Sequence, residues 1–296
     1  MKVLNFGSLN IDYVYQVPHF VRAGETLSSF GRETFCGGKG TNQSIAASKG
    51  GAQVWHAGAV GKDDSQMLID ALEEAGVHTE FVMRLEGSSG HAIIQKNPDG
   101  QNCILLYGGA NQEITKEHVD QVLAHFDQGD FLILQNEINQ MPYIMEQAHK
   151  RGMQIVLNPS PMNEKILECP LEYVDYFMLN EVEGADICGK EASGEEMLKQ
   201  LLEKFPGSKV VLTLGEQGSL YGDGRESYQQ GIFKVKVADT TAAGDTFTGF
   251  FISSLIRGCG VKEALETAAK ASAIAVSRNG AGPSIPTLKE VQECSL

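Results

Sequence analysis

The sequence predicts an α/β fold, a three-layer α/β/α sandwich around a mostly parallel sheet, with a small β-sheet lid. The first observation behind this is a series of short apolar runs: VLNFG (3–7), FLILQ (131–135), QIVLN (154–158), DYFML (175–179) and KVVLTL (209–214). Each is bounded by polar or Gly/Pro residues, as strands buried on both faces are. The second is that helical stretches at 64–75, 116–126, 139–151 and 195–205 lie between them. Such alternation is that of parallel strands joined by crossover helices. The third is a period of two in TLSSFGRETF (26–35) and in the pair HAIIQKN (91–97) and QNCILLY (101–107), which marks hairpins. Asn97-Pro98-Asp99-Gly100 supplies the turn of the second one. Segments of about 11–35 and 90–107 thus form a lid on one domain spanning 1–296.

With 296 residues, 42% hydrophobic and 21% charged, the chain has the composition of an ordinary globular protein. Its 24 basic against 38 acidic residues give a formal charge of −14, which disfavours nucleic acid and anionic membranes as partners. Six cysteines without CxxC spacing fit reduced thiols, and seven histidines without HExxH argue against zinc. No signal peptide is visible and no apolar run approaches ~18 residues, so a cytoplasmic location is expected. GADICGKE (184–191) has the spacing of a P-loop, but Glu191 stands where a magnesium-holding Ser or Thr belongs. No GxGxxG opens the first βα unit, which disfavours a dinucleotide-binding fold.

Taken in chain order, GSLNID (7–12) ends the first strand with Asn10 and Asp12 two positions apart, on one side of extended chain. Amide and carboxylate together can clamp vicinal hydroxyls, or simply form an Asx turn. In GGKGTNQ (37–43), three glycines precede a helix of small residues. They make either a flexible turn or backbone that a ligand approaches closely, with Lys39 and Asn42 as hydroxyl-binding groups. Glu137 follows the strand FLILQ at its carboxyl end, where open α/β sheets place ligands. NPSPM (158–162), LNEVEG (179–184) and TLGEQGS (213–219) also follow strands and are candidates for a nucleotide side. Asn180 and Glu183 can organise hydrated magnesium or cap the helix that starts near Glu181. In DTTAAGDTFTGFF (239–251), Ala242, Ala243 and Gly244 leave backbone amides uncovered at a helix N-terminus, which attracts an anion. Asp245 is then either a cap or a general base facing an attacking hydroxyl.

GSLNID, GGKGTNQ, NPSP, LNEVE, TLGEQG, DTTAAGDTFTGF and AVSRNGAGPS (275–284) occur in this order from Gly7 to Ser284. Together they resemble the motif set of the ribokinase-like, pfkB-type carbohydrate kinases, and GSLNID with GGKGTNQ is most similar to the ribokinases among them. The resemblance implies ATP-dependent phosphorylation of a sugar's primary hydroxyl, D-ribose to D-ribose 5-phosphate. It implies Asp245 as the base and Ala242, Ala243 and Gly244 as the anion hole. Sugar contacts are implied at Asn10, Asp12, Gly38, Lys39, Gly40, Thr41, Asn42 and Glu137. ATP contacts are implied at Asn180, Thr213, Leu214, Gly215, Glu216, Gln217, Gly218, Gly244 and Asp245.

Glu183 would hold Mg2+ through water, and Asp239, Thr241, Ala275, Arg278, Gly280 and Ser284 would surround K+. The lid would also form a homodimer contact. Ala269 falls where a side chain can approach adenine, Asn136 varies the QxE stretch, and Gly108-Gly109 vary the loop before Ala110-Asn111. Deoxyribose, a ketohexose such as fructose, or a nucleoside are alternative substrates; for a nucleoside, Tyr13, Tyr15 and Phe35 are the expected wall for the base. A sugar-binding regulator without turnover is the alternative of another class.

Overall fold

The computed structural model describes all 296 residues. The chain begins with β1 (Val3–Phe6), β2 (Asn10–Gln16), β3 (Gly31–Gly37), α1 (Lys39–Lys49), β4 (Val54–Gly61), α2 (Gln66–Glu74) and β5 (His78–Leu85). It continues with β6 (Gly90–Lys96), β7 (Asn102–Tyr107), α3 (Lys116–Leu123), β8 (Phe131–Gln135), α4 (Met141–Lys150) and β9 (Gln154–Asn158). Then come β10 (Tyr176–Asn180), α5 (Glu181–Cys188), α6 (Gly194–Lys204), β11 (Lys209–Thr213), β12 (Ser219–Gly222) and β13 (Ser227–Gln230). Three helices, α7 (Ala243–Ile256), α8 (Val261–Val276) and α9 (Leu288–Glu293), complete the fold.

The main sheet has nine strands in the order β13-β12-β11-β10-β9-β8-β1-β4-β5. All neighbours from β11 to β5 are parallel, and β12 and β13 add an antiparallel edge. Alternate residues of its strands feed two separate cores. Leu132 and Leu134 of β8 pack with α3, α4 and α6, whereas Phe131 and Ile133 pack with α1, α2, α7 and α8. The sheet is therefore the middle of three layers, and its strands read as continuous apolar runs because both faces are covered. No helix is long and apolar enough to cross a membrane.

The second sheet has the order β3-β2-β6-β7. β6 and β7 form the expected hairpin, with Gly100 at φ +79° in its turn. TLSSFGRETF does not form one: regular structure starts only at Gly31, and β3 pairs with β2 instead. Asn10 and Asp12 accordingly do not end the first strand. β1 stops at Phe6, and after Gly7, Ser8 and Leu9 the chain enters the second sheet. A side chain at Gly7 would run into Gly40 Cα at 2.7 Å, so this crossing of two backbones requires glycine.

β4 and β5 carry no counterpart among the expected strands. In VWHAGAVG the apolar signal is diluted by small residues, and a Cβ at Gly58 would sit 2.6 Å from the Gly7 carbonyl. GADICGKE falls on the last turns of α5 and its left-handed cap Gly189, a helix end rather than a phosphate loop.

Candidate active site

Parallel strands that end side by side leave a crevice at their carboxyl ends. Asn158, Asn180 and Thr213, the last residues of β9, β10 and β11, line a cleft of about 220 Å³ there. Lys39, Glu183, Thr240, Ala242, Ala243, Gly244 and Asp245 form its other walls. A larger groove of about 650 Å³ lies between α6 and the β12–β13 edge. Its lining, which includes Leu198, Lys199, Leu220 and Tyr228, offers no base beside free amides, so size does not locate the chemistry.

α7 starts at the cleft. Ala242 is left-handed at φ 61° and ψ 11°, and its carbonyl accepts the first bond of the helix from Thr246 N at 2.8 Å. Ala243 N–H turns back to Thr240 O at 3.3 Å, whereas the amides of Ala242, Gly244 and Asp245 donate to no protein acceptor. The free donors are thus not the expected set of Ala242, Ala243 and Gly244, because Ala243 is occupied by its own turn. A Cβ on Gly244 would meet nothing within 4 Å, so this face of the helix end opens into the cleft. The site combines unpaired N–H groups with the positive end of a helix dipole.

Asn180 and Glu183 form a reciprocal capping box at α5. Glu183 N donates to Asn180 Oδ1 at 2.9 Å, and Asn180 N donates to Glu183 Oε2 at 3.0 Å. Both residues also line the cleft, and Glu183 keeps Oε1 outside the cap. Of the TLGEQG residues, only Thr213 reaches the cleft. Leu214, Gly215, Glu216, Gln217 and Gly218 form a tight turn into β12, in which Gly218 has φ +95°.

The other half of the site is assembled over long sequence distances. Gly38, at φ +88°, starts α1 beside Ser8. Gly40 packs its backbone on Ser8, whose carbonyl accepts from Thr41 N at 2.9 Å. The close approaches at Gly37, Gly38 and Gly40 show why this stretch is glycine-rich: it is packed rather than flexible. Glu137 accepts from Lys39 N at 2.8 Å and from Ser8 Oγ. Burial pushes the Glu137 carboxyl up, and the bonds from Ser8 and Lys39 oppose that shift.

The Asp12 carboxylate folds over Gly37, two positions from its strand partner Phe35, and leaves no room for a Cβ there. Burial, reinforced by the charge of Glu137, raises its carboxyl to about 7. Asn10 is oriented by Asn111, which donates from Nδ2 to Asn10 Oδ1 at 2.8 Å and accepts from Leu9 N at 3.0 Å.

Asp245, only 7% exposed, joins the two halves. Asn42 Nδ2 donates to its Oδ2 at 3.0 Å, and Gln43 Nε2 donates to its Oδ1 at 2.9 Å. Asn42 Oδ1 is buried without a partner, an acceptor that a ligand hydroxyl can satisfy. Burial alone would lower the Lys39 ammonium, but Asp245, Glu137 and Glu183 together raise it. Lys39 is therefore a cation held among three carboxylates.

Tyr13 and Tyr15 alternate with Asn10 and Asp12 along β2 and face away from the clamp, so they do not wall it. Phe35, paired with Asp12, shares the clamp face.

A loop beside α7 gathers the remaining candidates. Ala238 and Asp239 donate to Val276 O, and Thr241 donates to Asp239 Oδ1 from N at 2.9 Å and Oγ1 at 2.6 Å. Burial pushes the Asp239 carboxyl up, yet the Thr241 bonds and the Lys96 charge, 3.7 Å away, hold it low. The Arg278 guanidinium turns to Glu290 at 2.7 Å and Ser284 Oγ donates to Ala281 O at 2.7 Å. Arg278 can offer this loop only its backbone.

Ser8, Gln43, Asn111, Asn158 and Gln135 were not among the residues singled out from the sequence. Ser8, Gln43 and Asn158 lie inside motifs that were recognised, and the contacts that give Asn111 and Gln135 their place cross 101 and 130 residues.

A buried carboxylate beside free helix-start amides, next to an amide-and-carboxylate clamp for hydroxyls, defines the class of an α/β carbohydrate kinase. Comparison with known proteins agrees. The family model described as pfkB family carbohydrate kinase matches residues 1–288. A ribokinase of Staphylococcus aureus is 34% identical, with 99% of each chain covered. The crystal structure of a ribokinase from Thermotoga maritima matches with a TM-score of 0.87 at 35% identity over 98% of each chain. An Arabidopsis thaliana ribokinase complexed with ribose and ATP matches with a TM-score of 0.87 at 28% identity, covering 99% of this chain and 97% of that one. The chain belongs to the pfkB family of carbohydrate kinases.

Proposed function

We propose that this chain transfers the γ-phosphate of ATP to the primary hydroxyl of D-ribose, giving D-ribose 5-phosphate and ADP. The observation that carries the reading is Asp245: buried at the first turn of α7, it adjoins unpaired amides on one side and the hydroxyl clamp on the other. Asn10, Asp12, Asn42 and Glu137, with the backbone of Gly38, hold the sugar hydroxyls; the amides of Gly40 and Thr41 are already taken by Ser8. Its acceptor hydroxyl then faces Asp245, which takes the proton as the oxygen attacks phosphorus and the bond to the ADP oxygen breaks.

The amides of Ala242, Gly244 and Asp245, with Lys39, stabilise charge on the transferring group without reorganising. Asn180, Thr213 and the turn from Leu214 to Gly218 receive the nucleotide. Glu183 would hold Mg2+ through water, a fit for one free carboxylate oxygen and an ion that keeps its hydration, and the bound ion would neutralise phosphate charge. Asp239, Thr241 and Ser284, with backbone of Ala275, Arg278 and Gly280, form an all-oxygen donor set suited to K+.

The domain works as one unit under its lid. β7 leaves Ile104, Leu105, Leu106 and Tyr107 exposed on both faces, an unpaired apolar edge that supports a homodimer through the lid, and a cytoplasmic setting fits the ATP requirement.

The test is ADP release with Mg2+, with and without K+, across ribose, deoxyribose, fructose and nucleosides. Selective turnover of ribose that collapses in Asp245→Asn supports the proposal. Preference for another acceptor replaces the substrate, and sugar binding without turnover favours a regulator.

A further inference from the structure

We infer that Gln43 is the positioning residue for Asp245, and that a directed chain of buried amides, Asn5, Gln135 and Gln43, selects the oxygen of Asp245 that takes the proton. The inference rests on the phosphoryl-transfer reading of Asp245. The direction of every amide in the chain follows from its starting point. The Gly40 carbonyl can only accept, so Asn5 must turn Nδ2 toward it, at 2.8 Å. Asn5 Oδ1 therefore faces Gln135, whose Nε2 donates to it at 3.1 Å and to Gln43 Oε1 at 2.7 Å. With its carbonyl engaged, Gln43 has only Nε2 left for Asp245 Oδ1, at 2.9 Å. The same nitrogen reaches Asn158 Oδ1 at 3.4 Å. Asn5, Gln43 and Gln135 are 0% exposed, so water cannot replace any link and a reversed amide would set oxygen against oxygen.

The two oxygens of Asp245 are thereby unequal. Oδ2 is held only by Asn42, a hydroxyl-binding residue that has an unpartnered acceptor of its own. Oδ1 is held by a side chain tied at both ends and out of reach of a ligand. When a sugar hydroxyl engages Asn42, Gln43 keeps Oδ1 fixed and Oδ2 is left to accept the alcohol proton. A base held to one rotamer needs no search for alignment in the transition state.

Gln43→Met keeps the length and removes the amide, and Gln135→Met breaks the chain one link earlier so that Gln43 is free to reverse. Steady-state kinetics with ribose and ATP over a pH series, with melting curves, distinguish the outcomes. For Gln43→Met we expect kcat to fall roughly 10- to 100-fold while KM for both substrates stays within about 3-fold. The acid limb of its kcat profile moves to higher pH, because a lost donor disfavours an ionised carboxylate. Gln135→Met shows a smaller loss in the same direction, and Gln43→Met adds nothing in an Asp245→Asn background.

An active wild type with unchanged kcat and pH profile in Gln43→Met, or a loss confined to KM, overturns the inference alone. If Gln43→Met does not fold, an unchanged kcat and pH profile in Gln135→Met overturns it. A wild type that transfers phosphate to no sugar overturns the kinase reading and this inference with it.

Discussion

The two halves of the proposed site are built differently. On the sugar side, Asn10, Thr41, Asn42, Gln43, Asn111 and Gln135 are all 5% exposed or less and joined by bonds that span the chain. On the nucleotide side, Gly215, Glu216, Gln217, Thr240, Thr241 and Gly244 are exposed, and their bonds are local caps and turns. The sugar half is preorganised by packing, whereas the nucleotide half offers free amides and leaves ordering to its ligand. Substitutions in the first should affect stability and sugar recognition together, and those in the second should lower turnover without costing stability.

The largest effect expected is that of Asp245→Asn, which sits where the halves meet. Loss of the base should lower kcat roughly 10³-fold or more; Asn keeps one acceptor for Gln43 but turns a nitrogen toward Asn42 Nδ2, so the melting temperature should fall as well. ADP release and calorimetry on one preparation check both.

Asp12→Asn tests the sugar half. Losing a charged acceptor for hydroxyls should raise the ribose KM roughly 10- to 100-fold. The folded carboxyl titrates at about 7, above its usual 3.8, so its burial costs stability increasingly as pH rises from 3.8 to 7. The free variant should therefore be more stable than wild type at pH 8, by a margin that shrinks toward pH 4. In wild type, ribose KM should fall as pH rises through about 7, as Asp12 becomes the ionised acceptor.

Gly244→Ala tests the nucleotide half in the opposite sense. Its Cβ meets no protein atom, so the helix should gain roughly 0.5–1 kcal/mol. The methyl fills the space for phosphate, and kcat/KM for ATP should drop roughly 10-fold or more. A stable variant with normal ATP kinetics would show that the phosphate lies elsewhere.

The smallest effect concerns His56, which donates from Nε2 to the Gly7 carbonyl and, as a neutral ring, accepts from Ser44 Oγ on Nδ1. Burial holds its imidazole down at about 4. Its neutral form thus stabilises the fold above pH 6.5, and that contribution is lost as pH falls toward 4, by at most roughly 1.4 kcal/mol per unit. Melting curves from pH 7 to 5 should show the decline, and His56→Gln should flatten it.

Strands with both faces buried, such as β8 and β9, were legible because burial leaves a continuous apolar run. β4 was not, since its glycines answer to close packing, Gly58 on the Gly7 carbonyl and Gly61 on the Gly87 carbonyl, rather than to propensity. The cap at Asn180 and Glu183 was legible for a related reason: caps are local, so LNEVE carries its own geometry, whereas DTTAAGD did not reveal that Ala243 N–H is taken by its own turn. Gln43 lay inside a quoted motif without a role, because its partner Asp245 is 202 positions away. Tyr13 and Tyr15 were assigned to the wrong face, since the side a strand turns inward is decided by pairing with β3 and β6.

The central claim is that Asp245 drives transfer onto the sugar. The most direct test is phosphorus NMR of the products from ATP and ribose. The account predicts ribose 5-phosphate and ADP in equal amounts from wild type, and neither from Asp245→Asn. Inorganic phosphate without sugar phosphate, or undiminished ribose 5-phosphate from the variant, would contradict it.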